Sequence, residues 1–174
     1  MEGAVRLFAG EFNQSSLTVP GEDDKSVSWV VTPSGGYCRQ VFLAGALVEV
    51  WEQGDMLFAR LADPTGGFDL VCGGNNTALA ESIRTISVPS FISVSGRAQL
   101  YRKDGKAVLT IRPDQVQIID RRVRDQWVIT TAIATLARLR LVHQAMKGLC
   151  TDSRILQACS HYSLKHKDLQ DMAG

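Results

Sequence analysis

The sequence predicts an all-β core, a small five-stranded barrel with a short plug helix, followed by a long C-terminal α-helix. Three observations predict it. Residues 40–120 hold five strand-like runs parted by turn-forming residues, an amphipathic segment interrupts them after the third run, and residues 121–147 contain neither glycine nor proline. A short-strand barrel feeding a helix with a narrow apolar stripe suits a subunit that binds an extended polymer and assembles with others.

The first barrel strand is the run 40–51, which is apolar on both faces and too rich in β-formers for a helix. Gly45 inside it marks the bend that lets one strand pass between two sheets. Glu52-Gln53-Gly54-Asp55 turns the chain into a second strand at 56–62. Asp63-Pro64-Thr65-Gly66-Gly67 then turns it into a third at 68–72, completing a meander. After Gly73-Gly74, Thr77 is placed to cap a helix over 78–86, with Leu79, Ile83 and Ile86 at helical spacing. The fourth strand, 91–101, reaches a hairpin turn at Asp104-Gly105, and the fifth runs through 107–112 and resumes at 116–119 after Pro113. Three strands, a helix and two strands is the oligonucleotide/oligosaccharide-binding (OB) order, whose ligand face lies on strands two and three between loops one-two and four-five.

Upstream, residues 5–8 and 28–32 read as short strands, and the polar stretch 11–28, with Glu22, Asp23 and Asp24, reads as loop. Trp29 among valines is expected to cap the barrel. The organisation is therefore an N-terminal extension over 1–39 packing on the barrel, an OB domain over 40–120, an assembly helix over 121–147 and a tail over 148–174.

At 174 residues the chain has room for one principal core. It holds no apolar run long enough to span a bilayer. Residues 1–6 offer neither a basic region nor a long apolar one, so no secretory signal and an intracellular location are expected. Cys38, Cys72, Cys150 and Cys159 form no Cys-x-x-Cys pair and read as free thiols. Cys150, Cys159 and His161 could supply part of a zinc site, but their spacing matches no closed site, so no metal or other cofactor is expected. His143, His161 and His166 have no acid or nucleophile at informative spacing, so no catalytic residue is assigned.

The net charge of +1 hides an asymmetry. Residues 1–119 carry 10 Lys plus Arg against 13 Asp plus Glu, while 120–174 carry 9 against 5. Because affinity for a polyanion rests largely on phosphate neutralisation, the barrel alone is expected to bind single strands weakly.

Several stretches resemble the archaeal replication protein A group, especially its small or associated subunits with one OB fold. They are Leu7-Phe8-Ala9-Gly10-Glu11-Phe12, Val41-Phe42-Leu43-Ala44-Gly45, Arg60-Leu61-Ala62-Asp63-Pro64-Thr65-Gly66, Ile111-Arg112-Pro113 and Arg124-Asp125-Gln126-Trp127-Val128. The resemblance covers most of residues 5–140. It implies a non-enzymatic subunit of a single-stranded-DNA-binding hetero-oligomer in replication, recombination and repair, cytoplasmic and nucleoid-associated, with the C-terminal helix joining other replication protein A subunits. Some relatives add a winged-helix module, for which residues 148–174 are too few.

Non-specific single-strand binding needs aromatic faces for bases and cations along the backbone. The candidates are Trp51 beside the first loop, Phe58 and Arg60 on one strand face, Phe68 on the third strand, and Tyr101, Arg102, Lys103 and Lys106 around the four-five hairpin. Other readings stay open: Phe58 and Phe68 as core, Trp51 as a cover on the barrel mouth, and the hairpin cations as a solvated tip. Arg84 and Arg97 are weaker candidates. RNA in place of DNA, or a protein contact with little DNA binding, also fits the fold.

In the long helix Val128, Ala132, Thr135, Leu139, Val142 and Met146 alternate steps of four and three residues, a heptad-like seam for a partner. Ile129, Ile133 and Leu136 widen it. The rod is ~40 Å long at 1.5 Å per residue, more than a small barrel covers. Trp127 is expected to anchor it. In the tail, 155–162 carries a weak helix pattern, followed by Lys165, His166 and Lys167.

Overall fold

The computed structural model describes residues 3–21 and 28–162. The acidic stretch Glu22, Asp23 and Asp24, and the tail residues Lys165, His166 and Lys167, lie outside the described residues. In chain order the elements are α1 (Ala9–Phe12), β1 (Leu17–Pro20), β2 (Ser28–Val31), β3 (Tyr37–Cys38), β4 (Gln40–Gln53), β5 (Met56–Asp63), β6 (Gly66–Cys72), α2 (Thr77–Arg84), β7 (Ser90–Lys103), β8 (Lys106–Ile118), α3 (Arg121–Met146) and α4 (Ser153–Tyr162).

Strands β4 to β8 close into a barrel in the order β4-β5-β6-β8-β7, with one parallel contact, Leu70 to Ile111 between β6 and β8. This is the OB fold. β4 closes it by serving two neighbours: Gln40–Leu47 pairs with β7, and Ala46–Gln53 pairs with β5. At the crossing, a Cβ on Gly45 would stand 2.2 Å from the Ala62 carbonyl oxygen, so only glycine lets the strands approach there. Val48 bulges out of the β4–β5 ladder just beyond. The fifth strand continues past Pro113 as expected: a register shift opposite Gly96 absorbs the proline, and β8 runs unbroken to Ile118.

Alternate residues of every strand fill the barrel, among them Leu43, Leu47, Leu61, Phe68, Leu70, Ile92 and Ile111, all at most 1% exposed. Burial of each such side chain stabilises the fold by about 1.5–3 kcal/mol. The expected plug helix is α2, which turns Leu79, Ala80 and Ile83 inward. Its cap is Asn76 rather than Thr77, the Asn76 side chain accepting from the Leu79 N–H at 3.3 Å.

The opposite end of the barrel is sealed by α1, which the sequence reading treated as the start of a loop. Ala9 N–H donates to Asp63 Oδ2 at 2.6 Å and Gly10 N–H to Thr65 Oγ1 at 2.8 Å, seating this single turn on the β5–β6 turn. Phe12 then lies 5.8 Å from the Phe68 ring, centroid to centroid. Of the strand expected at 5–8, only Val5 pairs, in a bridge to Val41. β1, β2 and β3 form a separate antiparallel sheet, of which Val30 and Cys38 reach the main core. Trp29 does not cap the barrel. It is half-buried on β2, facing Tyr37 and two guanidinium groups.

Asp120 caps α3 through the Val123 N–H at 2.8 Å. Trp127, 3% exposed, anchors the helix: its Nε1–H donates to the Phe42 carbonyl at 2.9 Å and its ring meets Phe8 edge-on at 5.7 Å. The helix ends in a Schellman turn with Gly148 at φ +73°, Leu149 N–H donating to Gln144 O and Gly148 N–H to Ala145 O. That reversal folds α4 back on α3, where Leu139, Val142 and Ile155 make a second small core.

Candidate nucleic-acid interface

The outer surface of β5 and β6 is set by their pleat. On β5, Leu57, Ala59 and Leu61 point inward, which turns Met56, Phe58 and Arg60 outward. On β6, Phe68, Leu70 and Cys72 point inward, leaving Asp69 and Val71 outside. Trp51 pairs with Phe58 across the β4–β5 ladder, and their rings stack with centroids 5.6 Å apart and planes 13° from parallel. With Trp51 38% exposed, this pair presents an aromatic platform.

Arg60 flanks the platform on the same strand face, 3.2 Å from Asp69 with both side chains about half exposed. An ion pair this open contributes little, about 0–1 kcal/mol, and leaves the guanidinium able to exchange partners. Arg112, which the sequence reading left out, reaches the edge of this surface beside Met56 and Gly73. Its signal was its place on β8 directly after Ile111, the residue that meets β6. Glu49, paired with Arg60 across the β4–β5 ladder, also stands on this face, so the platform carries both charge signs.

Two turns bracket the surface. The Gln53–Met56 turn lies at one end of β5, and the parallel β6–β8 contact puts the Lys103–Lys106 hairpin at the other end, with the Asp63–Gly66 turn. Asp104 at φ 53° and Gly105 at φ 77° form the hairpin turn foreseen from Asp-Gly. Tyr101, Arg102, Lys103 and Lys106 are all exposed. Arg102 also donates to the Ser16 carbonyl at 3.2 Å, tying the hairpin to the N-terminal segment.

Two groups expected here sit elsewhere. Phe68 is fully buried against Phe12 and cannot stack on a base. The reason is local: Asp69 must face water, so Phe68 and Leu70 take the inner face. Arg84 is held between Glu52 and Glu81, whose hydrogen bonds, that of Glu52 first, raise its pKa.

The seam expected along α3 is likewise turned. Thr135, Leu139 and Val142 are buried, the last two under α4, while Val128 packs against the barrel core and Ala132 is half-buried. Only Met146, 37% exposed, is open. The accessible apolar line lies one residue on: Ile129, Ile133 and Leu136, at 55%, 65% and 44% exposure. On a helix one residue is a rotation of about 100°, so the open line is that of the three residues expected to widen the seam, and the seam itself is largely turned inward.

His161 Nε2 lies 2.9 Å from Ser16 Oγ, a pairing invisible in the sequence because 145 residues separate them. The neighbouring Tyr162 hydroxyl accepts from Ser16 N–H and donates to Val31 O, so the two side chains fasten α4 to β1 and β2. Burial, with Cys150 nearby, raises the Cys159 thiol pKa. Among the described residues no three His, Cys, Asp or Glu side chains gather as metal ligands, and no helix is long and apolar enough to cross a membrane.

The chain matches no family model and no curated protein sequence. Solved structures do resemble it. A chain of the S. pombe Stn1–Ten1 complex superposes with a TM-score of 0.60 at 10% identity, covering 74% of this chain and 88% of that one. A chain of a replication protein A heterotrimer bound to single-stranded DNA gives 0.57 at 12% identity, covering 79% and 98%. At such identities the likeness is one of fold.

Proposed function

We propose that this chain is a non-catalytic subunit of a single-stranded-DNA-binding complex, comparable to the small subunit of archaeal replication protein A and serving replication, recombination and repair. The observation that carries the reading is the stacked Trp51–Phe58 pair on the outer barrel face, between the two turns where an OB fold takes its ligand. Bases stack on these rings, each stacked base contributing about 1–3 kcal/mol. Arg60, Arg112 and the cations of the 103–106 hairpin follow the phosphates. Nothing in this arrangement requires a covalent step: the subunit shields and presents the strand.

The surface of α3 supports the same reading. The inward line of α3 includes Thr131 and Thr135, whereas its outward line is Ile129, Ile133 and Leu136. A helix more apolar toward water than along part of its buried line needs a cover. We assign that cover to an apolar helix of another subunit of the same complex. Sharing also answers the mixed charge of the platform, since neighbouring subunits extend the phosphate track.

Fluorescence anisotropy with a labelled oligothymidylate tests the reading. Trp51→Ala with Phe58→Ala should weaken binding by about 2–6 kcal/mol, two stacked bases' worth. Unchanged affinity overturns it. Competition with a matched oligouridylate separates the sugars, and preference for the RNA would replace DNA with RNA in the proposal.

A further inference from the structure

A second basic and aromatic surface is built on other elements. A cleft of about 730 Å³ opens between the β2–β3 strands, the start of β4, β7 and α4. Four guanidinium groups line it, those of Arg39, Arg97, Arg138 and Arg154, against the single carboxylate of Asp152. Arg138 is committed to Glu11, and Asp152 caps α4 by accepting from Arg154 N–H and Ile155 N–H at 2.9 and 3.3 Å. Arg39 and Arg97 are exposed and form no ion pair among the described residues.

Aromatic rings hold two of the four guanidinium groups in place. The Arg39 guanidinium stands 5.9 Å from the Trp29 centroid, and that of Arg154 stands 5.7 Å from Trp29 and 4.7 Å from Tyr37. A guanidinium resting over a ring keeps its N–H edge directed at acceptors, which suits the oxygens of a phosphodiester. A second cleft, of about 350 Å³, shares Arg39 and Arg97 with the first and continues past Gln99 to Tyr101, which is 50% exposed. From Tyr101 the strand runs directly into Arg102 and Lys103 of the hairpin, at the other end of the β5–β6 face from the Trp51–Phe58 pair. The carboxylates beside this run are Asp104 at the hairpin tip, Asp114, which accepts from Gln40 at 3.0 Å, and the capping Asp152.

We propose that the run from the 103–106 hairpin along β7 to Arg97, Arg39 and Trp29 is a second track for single-stranded DNA, taking the strand after it leaves the barrel face. This rests on the reading that the platform binds single-stranded DNA. Lys103 to Arg97 is six strand residues, about 20 Å, and Arg97 also pairs with Arg112 across the β7–β8 ladder, so the run meets the platform's cations at two points and a longer strand makes fuller use of it. An acidic peptide would match the charge but would make no use of Trp29 and Tyr101.

The test uses the full chain and two labelled oligothymidylates, one of about 8 nucleotides, within a single OB footprint, and one of about 24, beyond it. Arg39→Ala with Arg97→Ala should weaken the long probe severalfold and the short one clearly less. The salt dependence of the long probe should fall by about 1.4 in log–log slope, the loss of two phosphate contacts on a single strand. An unchanged affinity and slope for the long probe, or an equal loss on both probes, overturns the track. Trp51→Ala with Phe58→Ala should weaken both probes; if it weakens neither while the arginine pair still weakens the long one, the platform reading fails and the arginines are a separate DNA site, not a continuation of the barrel face. No binding of either probe at low salt overturns both. Displacement of the long probe by polyglutamate as readily as by unlabelled oligothymidylate overturns the track in favour of an acidic peptide.

Discussion

Glu11 and Arg138, 127 residues apart in the chain, form an ion pair at 3.3 Å with the carboxylate side chain 8% and the guanidinium side chain 16% exposed. Each has further partners. Arg138 Nε donates to Ser34 Oγ at 3.0 Å and Nη1 to the Arg6 carbonyl at 3.3 Å, while Glu11 Oε1 accepts from the hydroxyls of Thr32 and Ser34. The network joins α1, the β2–β3 turn and α3, and it converts the N-terminal segment and the long helix into one body with the barrel. Removing one partner strands the other in a poorly solvated site, which costs about 3–5 kcal/mol. Arg138→Met should therefore lower the unfolding free energy by that amount in urea denaturation, and Glu11→Gln combined with Arg138→Met should cost less than the sum of the two single changes. Additive losses would mean that the pair acts as two independent contacts.

Cys38 gives the fold an alkaline limit. Burial, with Glu11 nearby, pushes its thiol from 9.0 up to about 12. The unfolded chain ionises this thiol first, so above pH 9 the unfolded state holds fewer protons than the folded one and stability falls as pH rises toward 12. Cys38→Ala should flatten that part of the stability curve, measured by denaturation at stepped pH. An unchanged slope would assign the alkaline loss to other groups.

The outward line of α3 predicts a clean separation between two pairs of substitutions. Ile133→Asp with Leu136→Asp should release the chain from the proposed complex, read by light scattering after size exclusion, without a change in the barrel's circular dichroism. Leu139→Asp with Val142→Asp, one step round the helix, should instead disrupt the α3–α4 core and lower the melting temperature. An intact complex with the first pair would remove α3 from assembly.

The barrel was legible because its strands obey period-two alternation and its turns use residues with little choice: Gly45 at the strand crossing, Asp104-Gly105 at the hairpin. α1 was not, because four residues cannot display a helical period; its helix exists through the Asp63 and Thr65 contacts, 54 and 55 residues away. The site was half legible. Phe58 and Arg60 share a face by simple alternation, and the same rule applied to Phe68, Asp69 and Leu70 would have placed Phe68 in the core. The α3 seam failed for a different reason. Its heptad spacing is present in the sequence, but which apolar line meets the chain's own core depends on α4, a ten-residue helix whose docking rests on the turn at Gly148.

Ultraviolet cross-linking of the assembled complex to an oligothymidylate, with the adducts mapped by mass spectrometry, tests the DNA-binding assignment most directly. Nucleotide adducts at Trp51 and Phe58 are the predicted result, together with their loss on competition by unlabelled DNA. A complex that binds the oligonucleotide fully yet yields adducts only on other subunits would contradict the assignment and leave this chain as an interaction subunit.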